Sequence, residues 1–183
     1  TLTGVYYYPE HWDESQWERD FKQMHDLGFE FTHFAEFAWA QLEPEEGKFD
    51  FAWLDKAVAL ADKYKLKVVM CTSTATPPVW LSRKYPEILI KYEDGTLLDH
   101  GARQHDSFAS PRYRELSYKM IEKLAQHYGN DPRIVGWQLD NEPAVQFDYN
   151  QAAEVAFRDF LRNKYHNNIK ELNDAWGTAF WSE

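Results

Sequence analysis

Residues 134–143 read IVGWQLDNEP, an apolar run of strand-forming residues that ends abruptly in an amide, a carboxylate and a proline. Partial burial at the mouth of a strand can keep a carboxyl group protonated, which is what a general acid requires. Pro143 disfavours the helical region for the residue before it, so we expect Glu142 to have an extended backbone at the strand end. A single Asn-Glu pair is more often an ordinary solvated exit from a strand, so its meaning depends on the surrounding chain.

Alternation within this run predicts which side chains share a face of the strand. Val135, Trp137 and Leu139 would point to one face and pack under helices. The intervening residues would point the other way, in line with Glu142. Strict alternation then puts Asn141 on the opposite face, so a bulge or twist must bring the two together if they act on one ligand.

Outward from this stretch, short apolar runs alternate with amphipathic helical patterns. The predicted strands are residues 5–8, 29–35, 67–72 and the opening stretch, and the predicted helices follow Asp13, Asp50 and Ser110 or span 151–165 and 169–176. The helix over 151–165 would be buried through Phe157, Phe160 and Leu161. This βα alternation predicts an α/β fold with parallel strands covered by helices. Since a closed (β/α)₈ barrel typically takes ~250 residues, the 183 residues predict either a small open sheet or the first half of a TIM barrel.

A longer excursion separates the third predicted strand from the fourth. Pro77-Pro78 opens a short helical turn, and residues 88–98 alternate around Asp94-Gly95, which is a strong hairpin signal. We therefore expect four parallel βα units, with a hairpin inserted after strand 3.

Composition excludes several classes of function. The net charge of −10 argues against nucleic acid or an anionic membrane as a partner, and no apolar run approaches the length of a transmembrane helix. Cys71 is the only cysteine, so no internal disulfide can form. The chain begins at Thr1 without a recognisable signal peptide, which favours the cytoplasm, although a trimmed leader would leave the same start.

The carboxyl ends of the predicted strands carry polar and aromatic residues together. Function in parallel α/β folds is found at this edge of the sheet. The segments that follow the strands are residues 8–12, 36–39, 73–76 and 141–142. Trp12, Trp39 and Trp80 lie near these ends, where a solvated loop would not need them. Carboxylates flanked by aromatic faces suit a carbohydrate, whose rings have apolar faces and hydroxyl edges.

Other chemistries fit the sequence less well. The seven histidines are scattered without metal-ligand spacing, no glycine-rich phosphate loop is present, and no serine has the strand–elbow–helix context of a hydrolase nucleophile. The sequence therefore predicts no metal and no cofactor.

Eight short motifs together resemble glycoside hydrolase family 42, whose members are retaining β-galactosidases. They are residues 7–12 (YYPEHW), 34–39 (FAEFAW), 42–44 (LEP), 47–50 (GKFD), 103–105 (RQH), 141–142 (NE), 176–178 (WGT) and 180–182 (FWS). They run in order along nearly the whole chain. The resemblance implies that residues 1–183 are the N-terminal half of a TIM-barrel catalytic domain, with strands five to eight elsewhere.

The resemblance also implies roles for particular residues. Glu142 resembles the acid/base, and Asn141 the amide that hydrogen-bonds the sugar 2-hydroxyl. Arg103 matches an arginine that lines the site for terminal galactose, while Glu36 and Trp39 lie near the same mouth. The nucleophilic glutamate of such enzymes follows strand seven, beyond residue 183, so the chain alone is expected to be inactive.

Two further features of the family bear on metal and assembly. Some members bind zinc through four cysteines, but here the first of these positions is Ser107 and residues 143–157 contain no cysteine, so we expect no structural zinc. Family members often form trimers, which predicts a homotrimer for the full-length protein.

Three alternatives to this interpretation remain. The parent protein could be another retaining β-glycosidase of the same clan, such as an arabinosidase. The chain could instead be a non-catalytic half-barrel. Glu10 or Glu36 could in principle replace the missing nucleophile.

Overall fold

A computed structural model of the chain describes residues 2–101, 103–143 and 147–178. The last motif of the sequence, residues 180–182, lies outside the described residues.

Four parallel strands form one sheet in which sequence order equals spatial order. The strands are β1 (Gly4–Tyr6), β2 (Phe31–Phe34), β3 (Lys67–Cys71) and β4 (Ile134–Gln138). The helices are α1 (Glu14–Asp26), α2 (Trp39–Leu42), α3 (Ala52–Lys63), α4 (Val79–Lys84), α5 (Pro111–Tyr128), α6 (Gln151–Lys164) and α7 (Ile169–Trp176). Consecutive parallel neighbours with helical crossovers form the wall of the first half of a (β/α)₈ barrel, so the predicted fold class is confirmed.

Local signals in the sequence place the long helices well. Asp13 caps α1 by accepting a hydrogen bond from the Ser15 amide at 2.9 Å. Ser110 caps α5, with Pro111 at the first helical position, as predicted. The start predicted at Asp50 is one residue too early, because the N-cap of α3 is Phe51. The Asp50 carboxylate still accepts a hydrogen bond from the Ala52 amide.

The core lies between the helices and the outer face of the sheet. Its fully buried large side chains include Phe21, Phe34, Leu54, Met70, Met120 and Leu124. The opposite face of the sheet, which would line a barrel, carries Tyr6, His33, Cys71 and Gln138. The packed core and the face that would line a barrel are therefore opposite faces of the same strands.

The predicted hairpin is present after β3. Lys91 pairs with Leu97, and the Tyr92 amide donates to the Thr96 carbonyl at 2.8 Å. Gly95 closes the turn with φ +88°, a left-handed conformation that favours glycine. The hairpin is fixed to the loop before α5 by a bridge between Leu89 and Asp106.

The prediction that α6 buries an apolar face is wrong. Phe157 and Phe160 are 52% and 54% exposed, and no residue of α6 is buried. The residues predicted to pack under helices beside it are also open: Val135 and Trp137 of β4 are 53% and 37% exposed, and Leu139, just after the strand, is 74% exposed. Both surfaces are apolar and would be more stable if covered, but none of the described segments covers them.

Candidate active site

The carboxyl ends of β2 and β4 bring three of the predicted site residues together. Glu36 follows β2, whereas Asn141 and Glu142 follow β4. Arg103 reaches the same edge from the loop before α5. This meeting point is at the end of the sheet where the sequence predicted a site.

Glu36 is the centre of a buried hydrogen-bond network. Its carboxylate accepts from the Asn141 side-chain amide at 2.6 Å, from Gln138 at 2.9 Å and from the Tyr8 hydroxyl at 2.6 Å. Glu36 is only 5% exposed, and these charge-assisted bonds offset the cost of burying its carboxylate. The pKa of Tyr8 is raised by burial and by this hydrogen bond, so Tyr8 remains a donor.

Sequence reasoning did not assign roles to Tyr8 and Gln138. Gln138 could have been found, because alternation in β4 puts it on the same face as the candidate acid. Tyr8 lies in the first family-like motif, but no local pattern indicates that its hydroxyl bonds a residue 28 positions away.

Arg103 joins the two residues of the Asn-Glu pair. One guanidinium nitrogen donates to the side-chain amide oxygen of Asn141, and the other lies 3.0 Å from a Glu142 carboxylate oxygen. The guanidinium also lies over the Phe37 ring, 5.8 Å from its centroid. Glu36 and Arg103 thus fix Asn141 from both ends of its amide group.

The backbone of the β4 exit explains how Asn141 and Glu142 come to share a side. Asp140 and Glu142 have φ values of +57° and +43°, so strand alternation ends at Gln138. The Gln104 side chain donates to the carbonyls of Asn141 and Glu142 at 2.6 and 2.8 Å, which holds this turn. The prediction of an extended backbone at Glu142 is therefore wrong. The backbone does turn at the end of β4, as it must if Asn141 and Glu142 are to act on one ligand.

The two residues of the pair differ in their access to solvent. Asn141 is 8% exposed, whereas the Glu142 side chain is 71% exposed. The enclosure expected around a general acid is not formed by the residues that the structure describes.

Trp39 lies in the core. It is fully buried, and its indole nitrogen donates to the Glu43 carboxylate at 2.8 Å. In this position it supports α2, and none of its surface is open to a sugar.

Glu10 is a buried carboxyl group near the same strand ends. Burial raises its pKa to about 7, and the charge of Glu36 acts in the same direction. Neither carboxylate oxygen of Glu10 has a hydrogen-bond partner in the described ranges. Glu10 is buried with a raised pKa, and Glu36 is 5% exposed and accepts three hydrogen bonds, so neither carboxylate is open to a substrate carbon as a nucleophile must be.

The residues present do not fit a structural zinc site. Ser107 occupies the position of the first zinc-binding cysteine of some family members, and its hydroxyl oxygen accepts a hydrogen bond from the Ala109 amide at 3.2 Å. Cys71 lies within β3 with its sulfur 3.1 Å from His33, and burial raises the pKa of this thiol, which disfavours a metal-binding thiolate. No group of three or more potential ligands lies together within residues 2–101, 103–143 and 147–178.

The side chains of His105 and Asp106 are buried, and their polar atoms have no hydrogen-bond partner among the residues that the structure describes. His105 Nε2 lies 3.5 Å from Asp106 Oδ2, and both residues are at most 3% exposed. Burial raises the pKa of Asp106 to about 8 and lowers that of His105 to about 4, with the neighbouring His100 charge adding to the second shift. The pair is thus neutral at moderate pH and is not an ion pair.

Asp106→Asn is expected to stabilise the protein increasingly between about pH 4 and about pH 8. The unfolded chain loses the Asp106 proton near its ordinary pKa of 3.8, whereas the folded chain keeps it up to about 8, so wild-type stability falls across this window. The difference in the free energy of unfolding between the variant and the wild type should grow by at most about 1.4 kcal/mol per pH unit. Denaturant melts of both proteins at several pH values measure it.

Asp94→Asn is the matched control for this titration. Its carboxylate lies in an exposed turn, where the Thr96 amide hydrogen bond lowers its pKa, so its effect should be constant across the same window. A pH-independent difference between wild type and the Asp106 variant would show that this carboxyl is ionised in the folded protein.

No helix in the described part of the chain is both long and apolar enough to cross a membrane.

Comparison with known proteins gives consistent matches over the whole chain. A family model for glycoside hydrolase family 42, described as beta-galactosidase, matches residues 6–183. Beta-galactosidase BgaH of Haloferax lucentense is 43% identical over 183 residues, which cover 98% of this chain and 28% of that protein.

Solved structures agree. The beta-galactosidase of the Antarctic haloarchaeon Halorubrum lacusprofundi superposes with a TM-score of 0.94 at 44% identity, and that of the psychrophilic Marinomonas ef1 with 0.94 at 39%. Each match covers 100% of this chain and 28% of the solved chain. The chain therefore spans little more than a quarter of the relatives it matches.

Proposed function

The chain belongs to glycoside hydrolase family 42, and on that premise we propose that it supplies the acid/base half of a retaining β-galactosidase active site. Glu142 is the proposed acid/base, and Asn141 and Arg103 are the proposed sugar-binding residues. Glu36 is a positioning residue, because its contacts are with the residues that would hold the sugar. The substrate class is a terminal β-galactoside, as in the names of the relatives.

One observation supports this proposal above the others. Arg103 contacts the amide of Asn141 and the carboxylate of Glu142 at once, at the carboxyl edge of a parallel sheet. A guanidinium and an amide have the donors that sugar hydroxyls need, and the adjacent exposed carboxyl can reach a glycosidic oxygen.

The proposed reaction is a double displacement. Glu142 gives its proton to the glycosidic oxygen while a second carboxylate attacks the anomeric carbon, so the C–O bond breaks as a galactosyl-enzyme ester forms. Glu142, now ionised, takes a proton from water, which displaces the ester and releases galactose with its configuration retained. The second carboxylate must lie ~5–5.5 Å from the first.

We assign that second carboxylate, and strands five to eight of the barrel, to chain beyond residue 183. The open apolar faces of β4 and α6 are what such a continuation would cover. Assembly into trimers stays a prediction, as does the absence of nucleic-acid and membrane partners.

The product of the longest reading frame that contains this chain is expected to hydrolyse 4-nitrophenyl β-galactoside, whereas the 183-residue chain is expected to show no turnover. The reason is that only the longer protein would hold both carboxylates. Assays on matched β-galactoside, β-glucoside and α-arabinoside substrates measure the preference, and NMR of the first-formed sugar measures its configuration. Inverted product, a stronger arabinosidase activity or turnover by the short chain would each contradict the proposal.

A further inference from the structure

A second cluster of aromatic and acidic residues lies outside the site described above. The hairpin after β3 and the loop before α6 together line an open cleft of about 560 Å³. We name it the aromatic cleft, and its lining residues are Tyr92, Glu93, Asp94, Phe147 and Tyr149.

The three rings of the aromatic cleft are exposed in the described part of the chain. Phe147 is 77% exposed, and Tyr92 and Tyr149 are 46% and 43% exposed. Single exposed apolar side chains are common, but three rings from two distant segments share one concavity, and acidic side chains lie among them, unlike the purely apolar faces of β4 and α6.

Backbone hydrogen bonds hold the two walls of the cleft together. The Tyr149 amide donates to the Lys91 carbonyl at 2.8 Å, and the Lys91 amide donates to the Asp148 carboxylate at 3.2 Å. The Asn150 side chain adds a bond to the Leu89 carbonyl at 3.2 Å. These hydrogen bonds fix the hairpin against residues 148–150. Because less backbone freedom is then lost when a ligand binds, the entropic cost of binding is lower.

The lining chemistry selects a neutral, hydroxyl-rich ligand. Aromatic faces contact the apolar C–H face of a sugar ring, and the carboxylates of Glu93 and Asp94 can accept hydrogen bonds from its hydroxyls. The charged residues among those that line the cleft in the described structure are Glu93 and Asp94, so the lining itself disfavours an anionic ligand.

The cleft is close to the proposed acid/base along the chain. Phe147 follows Glu142 by five residues, so their α-carbons are separated by at most about 18 Å. The proposed reaction requires the leaving-group side of the substrate to lie next to the acid/base. A saccharide leaving group that extends from Glu142 could therefore reach the aromatic cleft.

We propose that the aromatic cleft binds the distal sugars of the saccharide leaving group and gives the enzyme a preference for galactosyl oligosaccharides over small galactosides. This inference rests on the proposed function, because it assumes that Glu142 faces the leaving group.

The test is a double variant, Tyr92→Ala with Phe147→Ala, in the protein encoded by the longest reading frame. For a β-galactosyl oligosaccharide with several leaving-group sugars, kcat/KM is expected to fall roughly tenfold, the size expected for the loss of aromatic contacts. For 4-nitrophenyl β-galactoside, which has no sugar in its leaving group, kcat/KM should change less than about twofold. Tyr118→Ala, which removes a 61% exposed ring from α5, is the matched control and should alter neither value.

Each other outcome overturns the inference. An equal loss on both substrates would mean that the rings support the fold of the catalytic loop, and no loss on either would mean that the cleft binds no sugar. A changed molecular mass in solution would identify the cleft as a subunit interface. A wild-type protein inactive on the nitrophenyl substrate would instead refute the proposed function itself, and the cleft proposal with it.

Discussion

Replacing Glu142 with glutamine is expected to lower kcat/KM for 4-nitrophenyl β-galactoside by about 10²–10⁴-fold in the full-length enzyme. Glutamine keeps the size and polarity of the side chain but has no proton to give to the leaving oxygen. The isosteric change also leaves the exposed position beside Arg103 occupied, so the fold should not be affected. Steady-state kinetics on the wild type and variant measure the effect.

The chemistry of the two steps separates a lost acid/base from a damaged fold. A 2,4-dinitrophenyl leaving group needs little protonation, so the variant should form the galactosyl-enzyme from that substrate and accumulate it. Azide, which attacks without base assistance, should then restore turnover and yield a β-galactosyl azide. Glu115→Gln, an exposed change on α5, is the control and should be nearly neutral. If azide gives no rescue and dinitrophenyl and nitrophenyl substrates lose equally, Glu142 is not the acid/base.

Glu36→Gln is expected to lower kcat for galactosides by about 10²-fold, because small displacements of positioned groups have effects of that size. The carboxylate accepts hydrogen bonds from Asn141, Gln138 and Tyr8, and an amide at this position can satisfy fewer of those donors. Asn141 and Gln138 share one carboxylate oxygen, so an amide oxygen there would hold both by weaker, uncharged hydrogen bonds, and the buried Tyr8 hydroxyl would lose its acceptor. The loss should appear mainly in kcat, since a transition-state interaction is weakened.

A 2-deoxygalactoside substrate distinguishes positioning from general destabilisation. If Glu36 acts by orienting Asn141 toward the sugar 2-hydroxyl, the wild type should discriminate strongly against the 2-deoxy substrate and the variant weakly. Tyr8→Phe, which removes one donor but leaves the Glu36–Asn141 bond, is the matched control and should keep the discrimination. Equal discrimination by wild type and the Glu36 variant would show that Glu36 has only a structural role.

Features that depend on neighbouring residues along the chain were predicted well. The caps at Asp13 and Ser110 and the turn at Gly95 are found where the sequence put them. Each depends on a side chain bonding an amide two or three residues away, or on the φ that glycine permits.

Features that depend on distant segments were predicted poorly. Periodicity shows that α6 has an apolar face through Phe157 and Phe160 but not whether anything covers it. The sequence also suggested that Trp39 lies at the mouth of the site, whereas the structure buries it against Glu43. Aromatic residues near strand ends can serve either the core or a ligand, and local pattern does not distinguish the two.

The sequence by itself determined the order of strands and helices, and through its motifs the family and the Asn-Glu pair after β4. Only the tertiary structure decided that Glu36, Asn141 and Arg103 form one connected network and that Glu142 turns to the side of Asn141. The physical reason is range. Hydrogen-bonding propensities and periodicity act within a few residues, whereas this network joins side chains 38 and 105 positions apart, which the parallel pairing of the strands brings into hydrogen-bond distance.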